Sequence, residues 1–141
     1  MKYIAYGSNL SEEQMAVRCP DAKIVGKGLL RGWKLKFSYH ATIERSEGSV
    51  VPVLVWEISR ADEKRLDRYE GYPYYYIKSK LKMEMTVGEN EQEITGMVYI
   101  MAGEHDAEKP SRSYYELLAE GYERFGFDAG ILHRALEEVE D

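Results

Sequence analysis

Two short stretches hold the residue types from which chemistry could be built. The first is Leu66-Asp67-Arg68-Tyr69-Glu70-Gly71-Tyr72-Pro73. Its spacing places Glu70 at the end of a helix that Gly71 terminates in the C′ position and Pro73 prevents from continuing. A carboxylate there faces the negative end of the helix dipole, which disfavours its charge. Tyr69, Tyr72 and the run Tyr74-Tyr75-Tyr76 would exclude water and push the same way. A carboxyl group raised toward neutrality suits general acid–base catalysis; the plain alternative is a solvated residue at a helix end. The second stretch is Tyr6-Gly7-Ser8-Asn9-Leu10, between the apolar run at 3–6 and Ser11, with Gln14 three residues beyond Ser11. That pattern reads as strand, tight polar loop and capped helix start. Gly7 allows close approach of a ligand, and the loop's N–H groups converge on one place and favour a small anion. The plain alternative here is an ordinary strand-to-helix turn.

Other chemistries find less support. His40, His105 and His133 are far apart in sequence and in no metal-ligand spacing, and each is expected at the surface. Ser8 is not in a G-x-S-x-G elbow, and Cys19 before Pro20 reads as structural. As the single cysteine, it leaves no internal disulfide and no site of several thiolates. No phosphate loop or dinucleotide fingerprint occurs, so neither metal nor cofactor is expected. The formal net charge of -6 argues against nucleic acid and against an acidic membrane surface as partners. The N-terminal apolar run is too short for a signal peptide, and no stretch approaches the ~18 apolar residues of a membrane span. A reduced, cytoplasmic compartment is the expectation. The 12 tyrosines are the unusual entry in the composition, since clustered tyrosines line clefts more often than they fill dry cores.

The elements that must position these residues follow from pattern. By its length of 141 residues the chain is expected to form a single domain, 1–141. A first helix is predicted from Ser11 to about Cys19. Residues 22–30, with Gly26 and Gly28, predict a strand with a bulge or close backbone approach, and residues 33–37 alternate as a second strand. Residues 41–43 read as a short extended piece, 44–49 as a polar loop, and 50–58 as a β-rich run in which Pro52 belongs at an edge, a bulge or a strand start. Ser59, with Asp62 three residues on, starts the helix that ends at Glu70. Residues 74–87 and 93–101 pair as a hairpin across Gly88-Glu89-Asn90. A polar loop at 102–109 leads to a helix capped by Ser111 and ended by Gly126, and Asp128 caps a last helix with Ile131, Leu132, Ala135, Leu136 and Val139 on one face. The acidic tail Glu137-Glu138 and Glu140-Asp141 should be solvated and frayed. The fold class is α+β: strands in the middle, curled toward a partial barrel, with flanking helices.

A loop of donors beside a lone carboxylate in an aromatic cleft suits a reaction whose substrate brings its own nucleophile. Tyr6-Gly7-Ser8-Asn9-Leu10 with the downstream Leu66-Asp67-Arg68-Tyr69-Glu70-Gly71-Tyr72-Pro73 resembles the γ-glutamylcyclotransferase-like family. The resemblance extends to Ala41-Thr42-Ile43, the strand at 50–56, and Pro110-Ser111-Arg112-Ser113-Tyr114 before a helix ending near Phe125-Gly126. It implies a small mixed sheet of about five strands, partly closed as a barrel. It also implies that Tyr6, Gly7, Ser8, Asn9 and Leu10 bind the glutamyl end of a small-molecule γ-glutamyl substrate. Glu70 becomes the acid/base, while Tyr114 and either Tyr76 or Tyr75 line the pocket. The implied reaction is cofactor-free cyclisation of the γ-glutamyl group by its own α-amine, releasing 5-oxoproline and an amine or amino acid. Two other classes stay open: a non-catalytic small-molecule-binding module with the same pocket, and an interaction domain using an exposed tyrosine-rich surface. The leaving group and the oligomeric state are not legible in the residues.

Overall fold

Among the described residues, ten elements run in the order strand, helix, two strands, helix, two strands, two helices, with a single 3-10 turn after the first strand. The structure is a computed structural model and describes residues 1–139; Glu140 and Asp141 of the acidic tail lie outside the described residues. The strands are β1 (Lys2–Ala5), β2 (Lys23–Ser38), β3 (His40–Glu57), β4 (Tyr76–Val87) and β5 (Asn90–Met101). The helices are α1 (Glu12–Arg18), α2 (Arg60–Tyr69), α3 (Arg112–Phe125) and α4 (Ala129–Glu137). The sheet order β1-β3-β2-β4-β5 closes on itself. Four of its pairings are antiparallel and the closing one, β1 with β5, is parallel through Tyr3↔Met97. The α+β class and the curled five-strand sheet are as the sequence predicts.

Each helix starts on the side chain that the sequence marks. Ser11, Ser59, Ser111 and Asp128 each accept from a backbone N–H in the first turn, which satisfies donors that have no carbonyl partner within the helix. At Ser59 the box is complete, with Asp62 returning a bond to the Ser59 N–H. Gly126, at φ 70, ends α3 in the left-handed region.

The strands differ from expectation in one instructive way. The segments at 22–30 and 33–37 are a single strand, and so are those at 41–43 and 50–57, with the polar residues 44–49 inside β3 rather than in a loop. Trp33 pairs with Arg45 and Arg31 with Val50, so Gly32 alone faces residues 46–49. The polar run is therefore a wide bulge in a long hairpin: pairing on both sides overrides weak β-propensity. Pro52 pairs with Leu29 on one side, while β1 reaches only residues 54–57 on the other. Its missing N–H thus falls past the end of β1, where no ladder bond is lost.

The core is one cluster fed by every strand, with Ile4, Val53, Val55, Met85 and Val98 all buried, and is covered by Leu66 of α2, Leu118 and Tyr122 of α3 and Leu132 of α4. In β4, Met83 and Met85 are buried, while Ile77 and Val87 at the strand ends are exposed. The seam of β2 against β4 is also narrow, with only Lys27↔Thr86 and Gly28↔Met85 paired. A Cβ at Gly28 would lie 2.5 Å from the Glu84 carbonyl oxygen, a main-chain atom with no rotamer to escape into. Gly28→Val should therefore lower the unfolding free energy by about 2 kcal/mol, read as a drop in the urea midpoint at unchanged slope.

Candidate active site

Glu70 is placed by the way α2 ends. The Tyr72 N–H donates to the Asp67 carbonyl at 2.9 Å and the Gly71 N–H to that of Arg68 at 3.2 Å, while Gly71 takes φ 66. This pair of bonds is a Schellman motif. It turns the chain back so that Tyr75 and Tyr76 pass over the residue that has just left the helix. A side chain at Gly71 would be conformationally strained and within 3.1 Å of the Tyr75 Cβ. One turn earlier, Asp67 accepts from the Tyr99 hydroxyl at 2.6 Å and from Lys78 Nζ at 3.0 Å, tying α2 to β4 and β5.

The loop after β1 folds as a 3-10 turn, Ser8–Leu10, closed by the Leu10 N–H on the Gly7 carbonyl at 3.0 Å. The N–H groups of Gly7, Ser8 and Asn9 precede that closure and have no carbonyl partner among the described residues. Asn9 is 2% exposed, and both polar atoms of its side chain are engaged by the protein. Its Nδ2 donates to the Tyr3 hydroxyl at 2.8 Å, its Oδ1 accepts from Arg18 at 2.6 Å, and its carbonyl accepts from Trp56 Nε1 at 3.1 Å. Leu10 points elsewhere. It is buried beneath α3, where a Cβ on Gly121 would come within 2.8 Å of it, and it is not brought to the cavity.

Glu70, Gly7, Ser8, Asn9, Tyr6, Tyr76 and Tyr114 meet around one cavity of about 270 Å³. Both tyrosines left open by the sequence reach it. Tyr76 is buried and donates to the Ala41 carbonyl at 2.7 Å, whereas Tyr75 stands at the rim with its hydroxyl 3.0 Å from His40 Nδ1. Tyr6 donates to the Tyr99 carbonyl at 2.7 Å. The Tyr114 hydroxyl accepts from the Ala41 N–H at 3.0 Å, and the Tyr3 hydroxyl accepts from Asn9. The protons of those two hydroxyls have no acceptor among the described residues.

Burial pushes Glu70 from the ordinary 4.5 up to about 7, with the positive charge of Arg18 pulling the other way. No ion pair or hydrogen bond engages its carboxylate among the described residues. Burial likewise raises Tyr3, Tyr6, Tyr76 and Tyr114 and, with Asp67, Tyr99. The cavity thus presents surplus N–H and O–H donors against one carboxyl group near its midpoint at neutral pH, a setting for moving a proton beside a developing oxyanion.

Sequence reasoning missed four members of this surround. His40 was expected at the surface, but it lines the cavity and packs against Tyr75 and Tyr114, and burial lowers it. Tyr3 and Tyr99 alternate within strands as any core tyrosine does, so nothing in the sequence sets them apart. Arg18 is the basic residue in the last turn of α1, where a cation is ordinary. Among the described residues, no group of three or more His, Cys, Asp or Glu side chains is placed to hold a metal ion. No described helix is long and apolar enough to cross a membrane. Cys19 is buried and pushed up to about 12 by that burial, unlike a reactive thiol.

The chain is similar to known proteins over most of its length. A family model described as "Gamma-glutamyl cyclotransferase, AIG2-like" matches residues 3–121. Proteins named gamma-glutamylcyclotransferase from Bos taurus and Homo sapiens are 32% and 30% identical over 139 and 137 residues, covering 88% of this chain and 71% of each relative. A solved structure titled gamma-glutamyl cyclotransferase superposes with a TM-score of 0.80 at 26% identity, over 96% of this chain and 85% of that one. YkqA from Bacillus subtilis, at a TM-score of 0.74 and 15% identity over 100% of this chain and 54% of that one, shares the fold alone.

The environment of Glu70 has a measurable cost. Its carboxyl titrates near 4.5 when unfolded and near 7 when folded, so ionisation opposes folding. The penalty is absent below about pH 4.5, grows up to about pH 7 and is constant above. Glu70→Gln should then match the wild type in stability at pH 4 and exceed it by roughly 3 kcal/mol at pH 8. Urea unfolding at the two pH values measures the difference.

Proposed function

Because this chain belongs to the gamma-glutamyl cyclotransferase, AIG2-like family, we propose that it converts a small γ-glutamyl compound into 5-oxoproline and a free amine or amino acid. The observation that carries this reading is Glu70. It is a desolvated carboxylate without an ion-pair partner, sharing a cavity of about 270 Å³ with the unpartnered donors of the Gly7-Ser8-Asn9 loop. The cavity's size suits one short acyl group rather than a whole large ligand.

The steps follow from that arrangement. The glutamyl group lies with its charged end and its γ-carbonyl among the loop N–H groups and the Tyr114 hydroxyl. Glu70, as the carboxylate, takes a proton from the α-ammonium. The freed amine attacks the γ-carbonyl carbon of the same molecule and closes a five-membered ring. The loop donors and the Tyr114 O–H hold the negative oxygen of the tetrahedral intermediate, a contribution of about 3 kcal/mol per well-placed donor. Glu70 returns its proton to the departing nitrogen, the C–N bond breaks, the ring nitrogen gives up its second proton to the freed amine, and the neutral lactam and the ammonium product leave. Nucleophile and electrophile come in one molecule, so the protein supplies folding of the substrate, exclusion of water and proton transfer. The donor set serves the glutamyl end alone, and the leaving group faces the rim formed by Tyr75 and His40.

Wild-type protein incubated with γ-glutamyl amino acids and γ-glutamyl amines should release 5-oxoproline, and Glu70→Gln should lower kcat about 10²–10⁴-fold while still binding substrate in calorimetry. Binding without product in the wild type would favour the non-catalytic module instead. Because the carboxylate is the active form, kcat/KM should fall about tenfold per pH unit below about pH 7 and level off above it, in step with the raised value of Glu70. A profile flat from pH 5 to 8 would remove Glu70 from the base role.

A further inference from the structure

Arg18 stands outside the cavity yet touches both halves of the site. From the last turn of α1, one guanidinium nitrogen donates to Ser8 Oγ at 3.2 Å and to Asn9 Oδ1 at 2.6 Å. The other terminal nitrogen donates to the Tyr69 hydroxyl, and the guanidinium carbon sits 3.4 Å from the centre of the Tyr69 ring. Tyr69 is the last residue of α2, adjoining Glu70. Ser8 and Asn9 belong to the loop whose N–H groups have no partner. No other described side chain bonds to the loop and to the end of α2 at once.

We propose that Arg18 is the positioning residue of this site, a clamp that sets the loop donors and the Glu70 carboxylate at one fixed separation and keeps a positive charge behind the carboxylate. The proposal rests on the cyclotransferase reading for its kinetic consequences, but its structural content does not depend on it. The planar fork is what makes the clamp specific. Its donors reach two loop oxygens in one direction and the Tyr69 hydroxyl in another while the guanidinium carbon lies over the same ring, a spread of donors that a point-like ammonium does not have. Asn9 adds the leverage, because the oxygen that Arg18 grips belongs to the side chain whose nitrogen orients the Tyr3 hydroxyl in the cavity wall.

The charge has a second effect. Tyr3, Tyr6, Tyr75, Tyr76, Tyr99 and Tyr114 share the cavity with Glu70, and burial raises them all. They are therefore neutral around pH 7, and burial holds His40 below its ordinary value. Lys78 faces Glu63 and Asp67, and Asp67 is paired with it. Arg18 is thus the cation whose field opposes the burial of Glu70. Without it the carboxyl stays protonated to higher pH, and less of the protein is competent at neutrality.

Two substitutions separate the clamp from the charge. Arg18→Gln removes both, so KM for a γ-glutamyl amino acid should rise about tenfold and the acid limb of kcat/KM should move up by at least ~0.5 pH unit. Arg18→Lys keeps the charge and loses the fork, so KM should rise while the limb stays in place. Unfolding curves establish that each variant is folded; if Arg18→Gln is not, KM and the limb in Arg18→Lys decide alone. Wild-type KM and an unmoved limb in the folded variants would overturn the proposal. If the wild type makes no 5-oxoproline, the cyclotransferase reading fails separately. The carboxyl resonance of Glu70, identified by its loss in Glu70→Gln, still decides the inference: its midpoint must rise in Arg18→Gln and hold in Arg18→Lys.

Discussion

Ionising a carboxyl group away from water is costly unless a cation or several donors meet it, and among the described residues no ion pair or hydrogen bond reaches the Glu70 carboxylate. Much of the surrounding architecture can be understood as arranging that cost. Gly71 turns the chain out of α2 in a conformation that other residues resist, so that Glu70 is carried inward at the helix end instead of trailing into solvent. Three of the cavity's hydroxyls donate elsewhere: Tyr6 to the Tyr99 carbonyl, Tyr76 to the Ala41 carbonyl, and Tyr99 to Asp67. The nearby cation is held one step back by Ser8, Asn9 and Tyr69. A group arranged in this way lies close to its titration point, where gaining and losing a proton cost about the same.

The same arrangement explains why the site needs a closed sheet. Its walls come from β1, β3, β4, the end of α2 and the start of α3, with Tyr99 of β5 between them. The order β1-β3-β2-β4-β5 brings the first and last strands together, so that Tyr6 and Tyr99, 93 residues apart, share a hydrogen bond. Ala41 is the joint of the wall, since its N–H binds Tyr114 and its carbonyl binds Tyr76. Two tyrosines from distant segments are thereby fixed by one residue whose backbone donor and acceptor are both used.

Much of the fold was legible because local chemistry and tertiary structure agree. The caps at Ser11, Ser59, Ser111 and Asp128 and the terminators at Gly71 and Gly126 mark helix ends through backbone groups that need partners within a residue or three. Hairpin alternation in β4 and β5 was equally plain. The error at residues 44–49 has the opposite origin. Those residues are polar and favour turns; Glu44 and Arg45 pair with Lys34 and Trp33 of β2, and 46–49 lie opposite Gly32 as an unpaired bulge inside β3. Cross-strand pairing is a non-local term that propensity does not contain.

The sequence by itself determined which chemical groups were available and where they fell on their own elements. It placed a carboxylate at the last position of a helix, a glycine to end that helix, and a loop of free donors at the end of the first strand. The direction of the Glu70 shift could be inferred from those facts, although its main cause is burial in the assembled cavity. Only the tertiary structure decided which side chains meet. It brought Tyr3, His40 and Tyr99 into the wall, turned Leu10 away into the core, and made Arg18 the bridge between loop and helix. The reason is one of range. Capping and helix termination are settled within a turn of backbone, whereas burial and side-chain contact depend on how a closed sheet brings its edges together.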